Sequence, residues 1–174
     1  ACIGILYGAF VTLKQTDIKL MNAYSSVSHC GFVILGIAMF TKTAMVGAVL
    51  QMISHGVMTA LFFAAIGMIY ERSHTRLLNE LGGLMKSMPF ISTVIFIAGL
   101  CSLGLPGFSG FVAEMTVIVG SFENQDAFYR AATIIGCLSI VVTAVYILRA
   151  LSQAVMGPVN NKLFLQLQDA RWNE

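Results

Sequence analysis

From Pro89 to Phe122 the chain reads PFISTVIFIAGLCSLGLPGFSGFVAEMTVIVGSF, a 34-residue apolar stretch with a break in its middle and one acid after the break. As one straight helix it would be about 51 Å long at ~1.5 Å per residue, against a bilayer hydrocarbon core of ~30 Å. The stretch is therefore predicted to be two half-helices, 90–103 and 109–122, joined by an unwound peptide. Gly104, Pro106 and Gly107 supply the interruption. Pro106 has no N–H to donate and its ring clashes with the carbonyl four residues back, and the flanking glycines tolerate unusual backbone angles. Unwound backbone at membrane depth must be satisfied by protein or by a water-filled cavity, so the break is expected to face inward. Glu114 falls one turn into the second half-helix, and no basic residue lies between Lys86 and Arg130. An intramembrane carboxylate without a local partner is a candidate functional site; the alternative is a snorkelling or structural acid near an interface.

Composition places the chain in a bilayer. Of 174 residues 57% are hydrophobic and 10% charged, with mean hydropathy +0.84, whereas a soluble domain is about 25% charged. The apolar material comes in runs of membrane length, which predicts an all-α polytopic bundle, one transmembrane domain over 1–174. Its spans are expected at about 1–13 (partial), 20–40, 46–70, 90–122 (broken) and 131–151, with a polar tail over 152–174. The opening run is already apolar and has no basic leader, so the sequence reads as a piece of something longer. Cys2, Cys30, Cys101 and Cys137 lie one per hydrophobic segment without CxxC spacing and read as packing residues, not as metal ligands or disulfides. Net charge is +2; no basic, aromatic-studded patch suggests nucleic acid, no glycine-rich phosphate or dinucleotide motif is present, and no Ser/His/Asp set lies outside the spans. No catalytic residue in the chemical sense is expected.

Alternating the loops across the membrane puts Lys14, Lys19, Arg72, Arg76, Lys86, Arg149, Lys162 and Arg171 on one side, and Lys42 and Arg130 on the other. This positive-inside asymmetry assigns the 14–19 loop, the 71–88 loop and the tail to the cytoplasmic or matrix side. Inside the spans, Asn22, Ser25, Ser26 and His29 share one helical face, as do Gln51, His55 and Thr59. The serines, Gln51 and Thr59 read as interhelical hydrogen-bonding residues. Histidine differs in kind, because a side chain with an unperturbed pKa near ~6.5 takes and releases protons around neutrality. Together with Glu114 and the broken helix, His29 and His55 favour a proton relay over a structural role. His74, beside Glu71, Arg72 and Arg76, reads as a helix-end or interfacial residue.

The runs QTDIKLMNAYSSVSHCGFVILGI (15–37), GAVLQMISHGVMTALFFAAIGMIYERSHTR (47–76) and GLPGFSGFVAE (104–114) resemble the antiporter-like subunits of respiratory complex I, the proton-pumping NADH:quinone oxidoreductase. That family is shared with multisubunit sodium/proton antiporters and membrane-bound hydrogenases. The resemblance covers essentially the whole chain. It implies the ninth to thirteenth of fourteen helices, the second of two inverted five-helix repeats, with the broken helix as the twelfth. Glu114 matches the glutamate of the discontinuous helix, where quinone-distal members usually carry lysine, so the similarity is to the subunit-4 branch. His55 matches a histidine of the eleventh helix in the central hydrophilic axis, and His29 one in the tenth. Lys19 matches a lysine near the start of the tenth helix whose role is protonic or structural. The first repeat and the last helix have no counterpart here, which implies a separate chain, if the gene is split, or a fragment.

The resemblance implies a membrane-arm subunit contributing part of a proton channel in an energy-transducing membrane, the mitochondrial inner membrane or a bacterial plasma membrane. No redox cofactor is expected in this chain; NADH, FMN, iron–sulfur clusters and quinone would belong to partner subunits. The alternatives are a subunit of a sodium/proton antiporter or membrane-bound hydrogenase, and a scaffold of the membrane arm.

Overall fold

Side chains at the loop ends set where the helices begin and stop. The structure, a computed structural model, describes residues 1–159, 164 and 167–171; Lys162, counted above with the basic side, lies outside them. Helix α1 spans Cys2–Lys14 and α2 Ile18–Ala38, the latter opened by Asp17, whose Oδ1 accepts from the backbone N–H of Lys19 at 2.8 Å and Leu20 at 3.3 Å. Helix α3, Lys42–Ser73, is longer at both ends than the 46–70 expected. Thr41 caps its first turn, accepting from Ala44 N–H at 3.2 Å, and His74 closes it in the left-handed region at φ 54°. A short α4, Leu84–Ser87, precedes α5, Pro89–Ser102, with Pro89 in the first turn where its missing N–H costs nothing. Helix α6 covers Ser109–Phe122 and α7 Ala127–Leu151, which runs on into a π-helical turn over Ser152–Met156. The described residues are helical with no strand; a single isolated bridge pairs Asp17 with Leu77.

By length and composition α2, α3 and the α7 segment to Met156 can each cross a membrane. Neither α5 nor α6, at 14 residues each, is long enough alone. Contacts at their outer ends place them in series. At one end of the bundle, Ile18 N–H donates to Arg76 O at 3.0 Å, Leu78 N–H to Thr16 O at 2.8 Å, and Arg149 to Leu13 O at 2.7 Å. The start of α5 belongs to this end, because Asp169 of the tail accepts from Phe90 N–H at 2.6 Å and Ile91 N–H at 3.2 Å. The close of α6 lies at the other end, where Thr41 donates to Gly120 O at 2.8 Å and Thr43 to Glu123 at 2.6 Å. The two short helices thus traverse the bundle once between them.

Three details depart from the sequence reading. The peptide between α5 and α6 does not turn wholly inward: Leu105, Pro106 and Gly107 are exposed, while Leu103 and Gly104 are half-buried. Outward placement is tolerable because the break meets much of its own hydrogen bonding, with Leu105 N–H reaching Leu100 O at 3.3 Å and Phe108 N–H reaching Leu105 O at 3.1 Å. The 71–88 stretch, read as a basic loop, has a buried edge: Leu78, Leu81 and Leu84 pack with Ile18, Met21, Ile69 and Tyr146 in the larger of the two apolar cores among the described residues. Nor is the tail, read as polar over 152–174, polar throughout: among its described residues Ala154, Val155 and Phe164 join the same core.

Helices α3 and α6 pack backbone to backbone. A Cβ built on Gly47 would lie 2.5 Å from Val117 N, so this crossing requires glycine. That close approach brings the middle of α3 onto the first turns of α6, where the ionisable residues meet.

Candidate functional site

Three helices converge on His29. On α2, Asn22, Ser25 and His29 form a buried stripe, with Ser26 half-buried beside it. His29 Nδ1 is 3.3 Å from Glu114 Oε1 of α6 and 3.3 Å from Gln51 Nε2 of α3, and its Nε2 is 3.3 Å from Ser102 Oγ, the last residue of α5. All of this is closed from solvent: His29 is 4%, Gln51 2% and Glu114 6% exposed. His55, half-buried on α3, lies against His29 with ring centroids 5.0 Å apart and planes at 34°, and Thr59 is 3.3 Å from its ring nitrogens.

The break positions the carboxylate. Gly104 sits at φ +70°, and a Cβ there would come within 2.7 Å of Glu114 Oε2. Glycine is required twice at this position, by the backbone angle and by the room the acid occupies. On the next turn of α3, Ser54 is hydrogen-bonded to Ser109 Oγ at 2.7 Å, tying α3 to the first residue of α6.

One ring nitrogen facing both a carboxylate and an amide has a definite chemistry. If His29 Nδ1 carries a proton it donates to Glu114, and the Gln51 amide must turn its oxygen toward the ring to avoid opposing a second donor. If the proton sits on Glu114, Nδ1 is a bare lone pair and accepts from Glu114 or from the Gln51 NH₂. Gln51 Oε1 has no hydrogen-bond partner among the described residues, so the amide keeps an acceptor for the first arrangement. Moving a proton between Glu114 and His29 is thus matched by rotation of one neutral side chain. The spacing of Gln51 with His55 marks the same helical face, but a glutamine gives no sign in sequence that its partner is a histidine on another helix.

Lys19 is not brought to this cluster. It is exposed at the loop end of α2, beside a hollow of about 440 Å³ lined also by Phe63, Ile66, Gly67, Tyr70 and Arg76. Arg76 pairs there with Asp17 at 3.5 Å and lies 5.1 Å over the Tyr70 ring. His74 is the residue that ends α3, its N–H donating to Tyr70 O at 2.8 Å. Among the described residues no group of three or more His, Cys, Asp or Glu is arranged to hold a metal ion.

Fold and site together define a polytopic membrane protein with an ionisable interior built around a broken helix. Residues 1–143 match the family described as NADH:quinone oxidoreductase/Mrp antiporter, transmembrane, and the chain belongs to that family. It is 44% identical over 161 residues to F(420)H(2) dehydrogenase subunit M of Methanosarcina mazei, covering 92% of this chain and 32% of that protein. It is 40% identical over 167 residues to NADH-quinone oxidoreductase subunit M of Rickettsia felis, covering 96% and 33%. In structure it matches a chain of respiratory complex I from Thermus thermophilus with a TM-score of 0.89 at 27% identity, over 98% of this chain and 35% of that one. The chain spans about a third of the length of the curated relatives it matches.

Proposed function

We propose that this chain is part of the membrane arm of a proton-translocating NADH:quinone oxidoreductase and contributes a section of its proton path. The observation that carries this reading is the buried contact of Glu114 with His29 at 3.3 Å, extended to His55 by the tilted ring contact at 5.0 Å. A charged side chain in hydrocarbon costs at least ~2.5–3.5 kcal/mol, so a carboxylate here is paired, hydrated or protonated during part of its cycle. Each condition suits a group that loads and releases a proton. Glu114 exchanges a proton with His29 Nδ1, Gln51 follows by rotating, and Ser102 supplies or accepts a hydrogen bond at Nε2. His55 takes the proton onward through a ring rotation or one bridging water, and its half-buried edge is where the path leaves these helices for the rest of the subunit.

Electron transfer and its cofactors, NADH, FMN, iron–sulfur clusters and quinone, belong on this reading to partner subunits, with which the chain shares an energy-transducing membrane. The basic loops 14–19 and 71–88 and the tail face the cytoplasm or matrix. Lys19, apart from the buried cluster, serves the loop end of the bundle.

The test is Glu114→Gln, which keeps size and hydrogen bonding but cannot ionise. Proton uptake and donor oxidation are measured side by side in sealed vesicles. Loss of pumping at equal assembly is the expected result, with Glu114→Asp retaining part; a Gln variant that pumps as well as the parent overturns the reading and leaves a scaffold. A second reading, a sodium/proton antiporter subunit, has support in the family itself, whose description spans both kinds of complex. Sodium-dependent growth rescue by the intact assembly would favour it.

A further inference from the structure

The first turn of α5 is held from outside its own stretch of sequence. A helix leaves its first amides without intrahelical acceptors, and a Ser, Thr, Asp or Asn at the cap ordinarily takes them. Met88 stands in that place here, and no side-chain bond caps the turn locally. Pro89 has no N–H, and Ser92 N–H donates to Met88 O at 3.0 Å. The two amides that remain, Phe90 and Ile91, both donate to Asp169, to Oδ2 at 2.6 Å and to Oδ1 at 3.2 Å. Every amide of the turn is thereby accounted for, two of them by one carboxylate 79 and 78 residues away.

Asp169 is itself fixed in place. Its Oδ1 also accepts from Ala170 N–H at 2.8 Å, and Leu167 and Ala170 pack against the apolar core that Phe164 enters. Next to it, Gln168 O accepts from Arg72 Nε at 3.0 Å, and Arg72 lies in the last turn of α3. Further back, Val159 rests so closely on Gly83 that a Cβ there would come within 2.6 Å of Val159 Cγ2. The described part of the tail is therefore a strap that joins the loop-side ends of α3 and α5.

The inner end of α5 has no comparable tie along the chain. In a continuous helix each turn fixes the axial position of the next, but after Ser102 the backbone leaves the helix, with Gly104 and Gly107 at φ +70° and +107°, and α6 resumes only at Ser109. Sideways, α5 meets α7 through Gly99 and Leu151, an apolar contact without directional preference. Yet Ser102 Oγ has to stay at His29 Nε2, 3.3 Å away, and Gly104 has to stay beside the Glu114 carboxylate. At that distance, a slip of α5 by a fraction of its ~1.5 Å rise per residue breaks the Ser102 bond.

Resting on the proton-transfer reading above, we propose that Asp169 is a positioning residue for the buried centre: by anchoring the first turn of α5 it sets where Ser102 and Gly104 stand against His29 and Glu114. Phe90 and Ser102 are about 18 Å apart along the helix at ~1.5 Å per residue. The circuit closes through the protein. It runs from Asp169 along α5 to Ser102 and His29, across to Gln51, along α3 to Arg72, and back through Gln168. A change in the tail is thus felt at His29 Nε2 although the tail does not touch the centre.

The experiment uses the intact membrane assembly carrying Asp169→Ala, Asp169→Asn, Asp17→Ala or Glu114→Gln. Asp17→Ala removes a cap of the same kind from α2, a continuous helix at the same end of the bundle. Three quantities are read on each preparation: thermal stability, protons moved per donor oxidised in sealed vesicles, and the infrared band of the Glu114 carboxyl or carboxylate, identified by its loss in Glu114→Gln. Asp169→Ala is expected to lower the proton-to-electron ratio and displace the Glu114 band. Asp169→Asn, which keeps an acceptor for the amides, restores part of both, and Asp17→Ala loses stability with ratio and band kept. If Asp169→Ala costs stability but leaves ratio and band at the parent values, Asp169 is a cap and the proposal is wrong. Should that variant fail to assemble, Asp169→Glu, which keeps both oxygens but lengthens the anchor by one methylene, decides in its place: a displaced band upholds the proposal and an unmoved one overturns it. A Glu114→Gln variant that pumps normally sinks the proton-path reading, and the band in Asp169→Ala then decides separately whether Asp169 positions the carboxylate.

Discussion

At the level of single residues, the glycines of the break make separable predictions. Gly104 and Gly107 both hold positive φ, +70° and +107°, so alanine at either strains the backbone by about 1–2 kcal/mol. Only at Gly104 does the added carbon meet the acid; at Gly107 it meets nothing within 4 Å. Gly104→Ala should therefore lower both thermal stability and proton pumping, whereas Gly107→Ala should lower stability with the ratio of protons to electrons kept, as melting curves and vesicle assays on the same preparations would show. Gln51→Leu removes the donor that holds the bare Nδ1 of His29 when the proton is on Glu114. Losing such a bond costs about 1–3 kcal/mol in that state alone, a population shift of roughly five- to 150-fold, so pumping should slow while assembly is normal. Gln51 was read as an interhelical hydrogen-bonding residue, and its bond to His29 is one, but the sequence did not name the partner. The histidines and Glu114 were legible because ionisable groups in apolar runs are expensive; a neutral amide carries no such mark, and its partner on another helix is set by tertiary packing.

Among the elements, the pair α5 and α6 was the most legible and the segments flanking it the least. Apolar length and the Gly-Leu-Pro-Gly run gave half-helix limits within one residue of Pro89–Ser102 and Ser109–Phe122. Nothing local told that the start of α5 is capped by Asp169, 79 residues away, or that the leucines at 78, 81 and 84 turn a charged loop into a lid on the core. Their spacing over so few residues, interrupted by Asn79, Glu80 and two glycines, is too short to read as a helical face. Asp169→Ala should destabilise the chain by about 1 kcal/mol through two unpaired amides, with Asp169→Asn losing less, as thermal unfolding of the purified assembly would measure. A larger loss is expected at the α3–α6 crossing. There Gly47→Leu has to separate two backbones in contact, and the variant should be missing from assembled complexes on native gels.

For the molecule as a whole, the basic loops share one end by direct contact, Asp17 and Thr16 with Arg76 and Leu78, and Arg72 with Gln168 O at 3.0 Å. The proposal that this end faces the cytoplasm or matrix rests on charge bias alone. Cysteine introduced at Lys86 should react with a membrane-impermeant thiol reagent from that side only, and cysteine at Asn124 from the opposite side only; labelling of both from one side would contradict the crossing order. Apolar side chains such as Ile53, Val57, Val112 and Val141 cover much of the outer surface. That is what a bilayer or neighbouring helices require, and a chain spanning a third of its relatives has room for both.

The break has an electrical consequence as well as a steric one. A continuous helix cancels its peptide dipoles along its length and shows poles only at its ends, but α5 and α6 each bring an end to the middle of the bundle. Ser102, the last residue of α5, lies at the negative pole and touches His29 Nε2; the Glu114 side chain reaches back to Gly104, toward the positive pole opened at Ser109. Each pole contributes about 0.3–1 kcal/mol to a charge of opposite sign. The interrupted helix therefore sets an electrostatic field along the His29–Glu114 contact, negative pole on the histidine side and positive pole on the carboxylate side, that an unbroken helix could not place at the middle of the bundle.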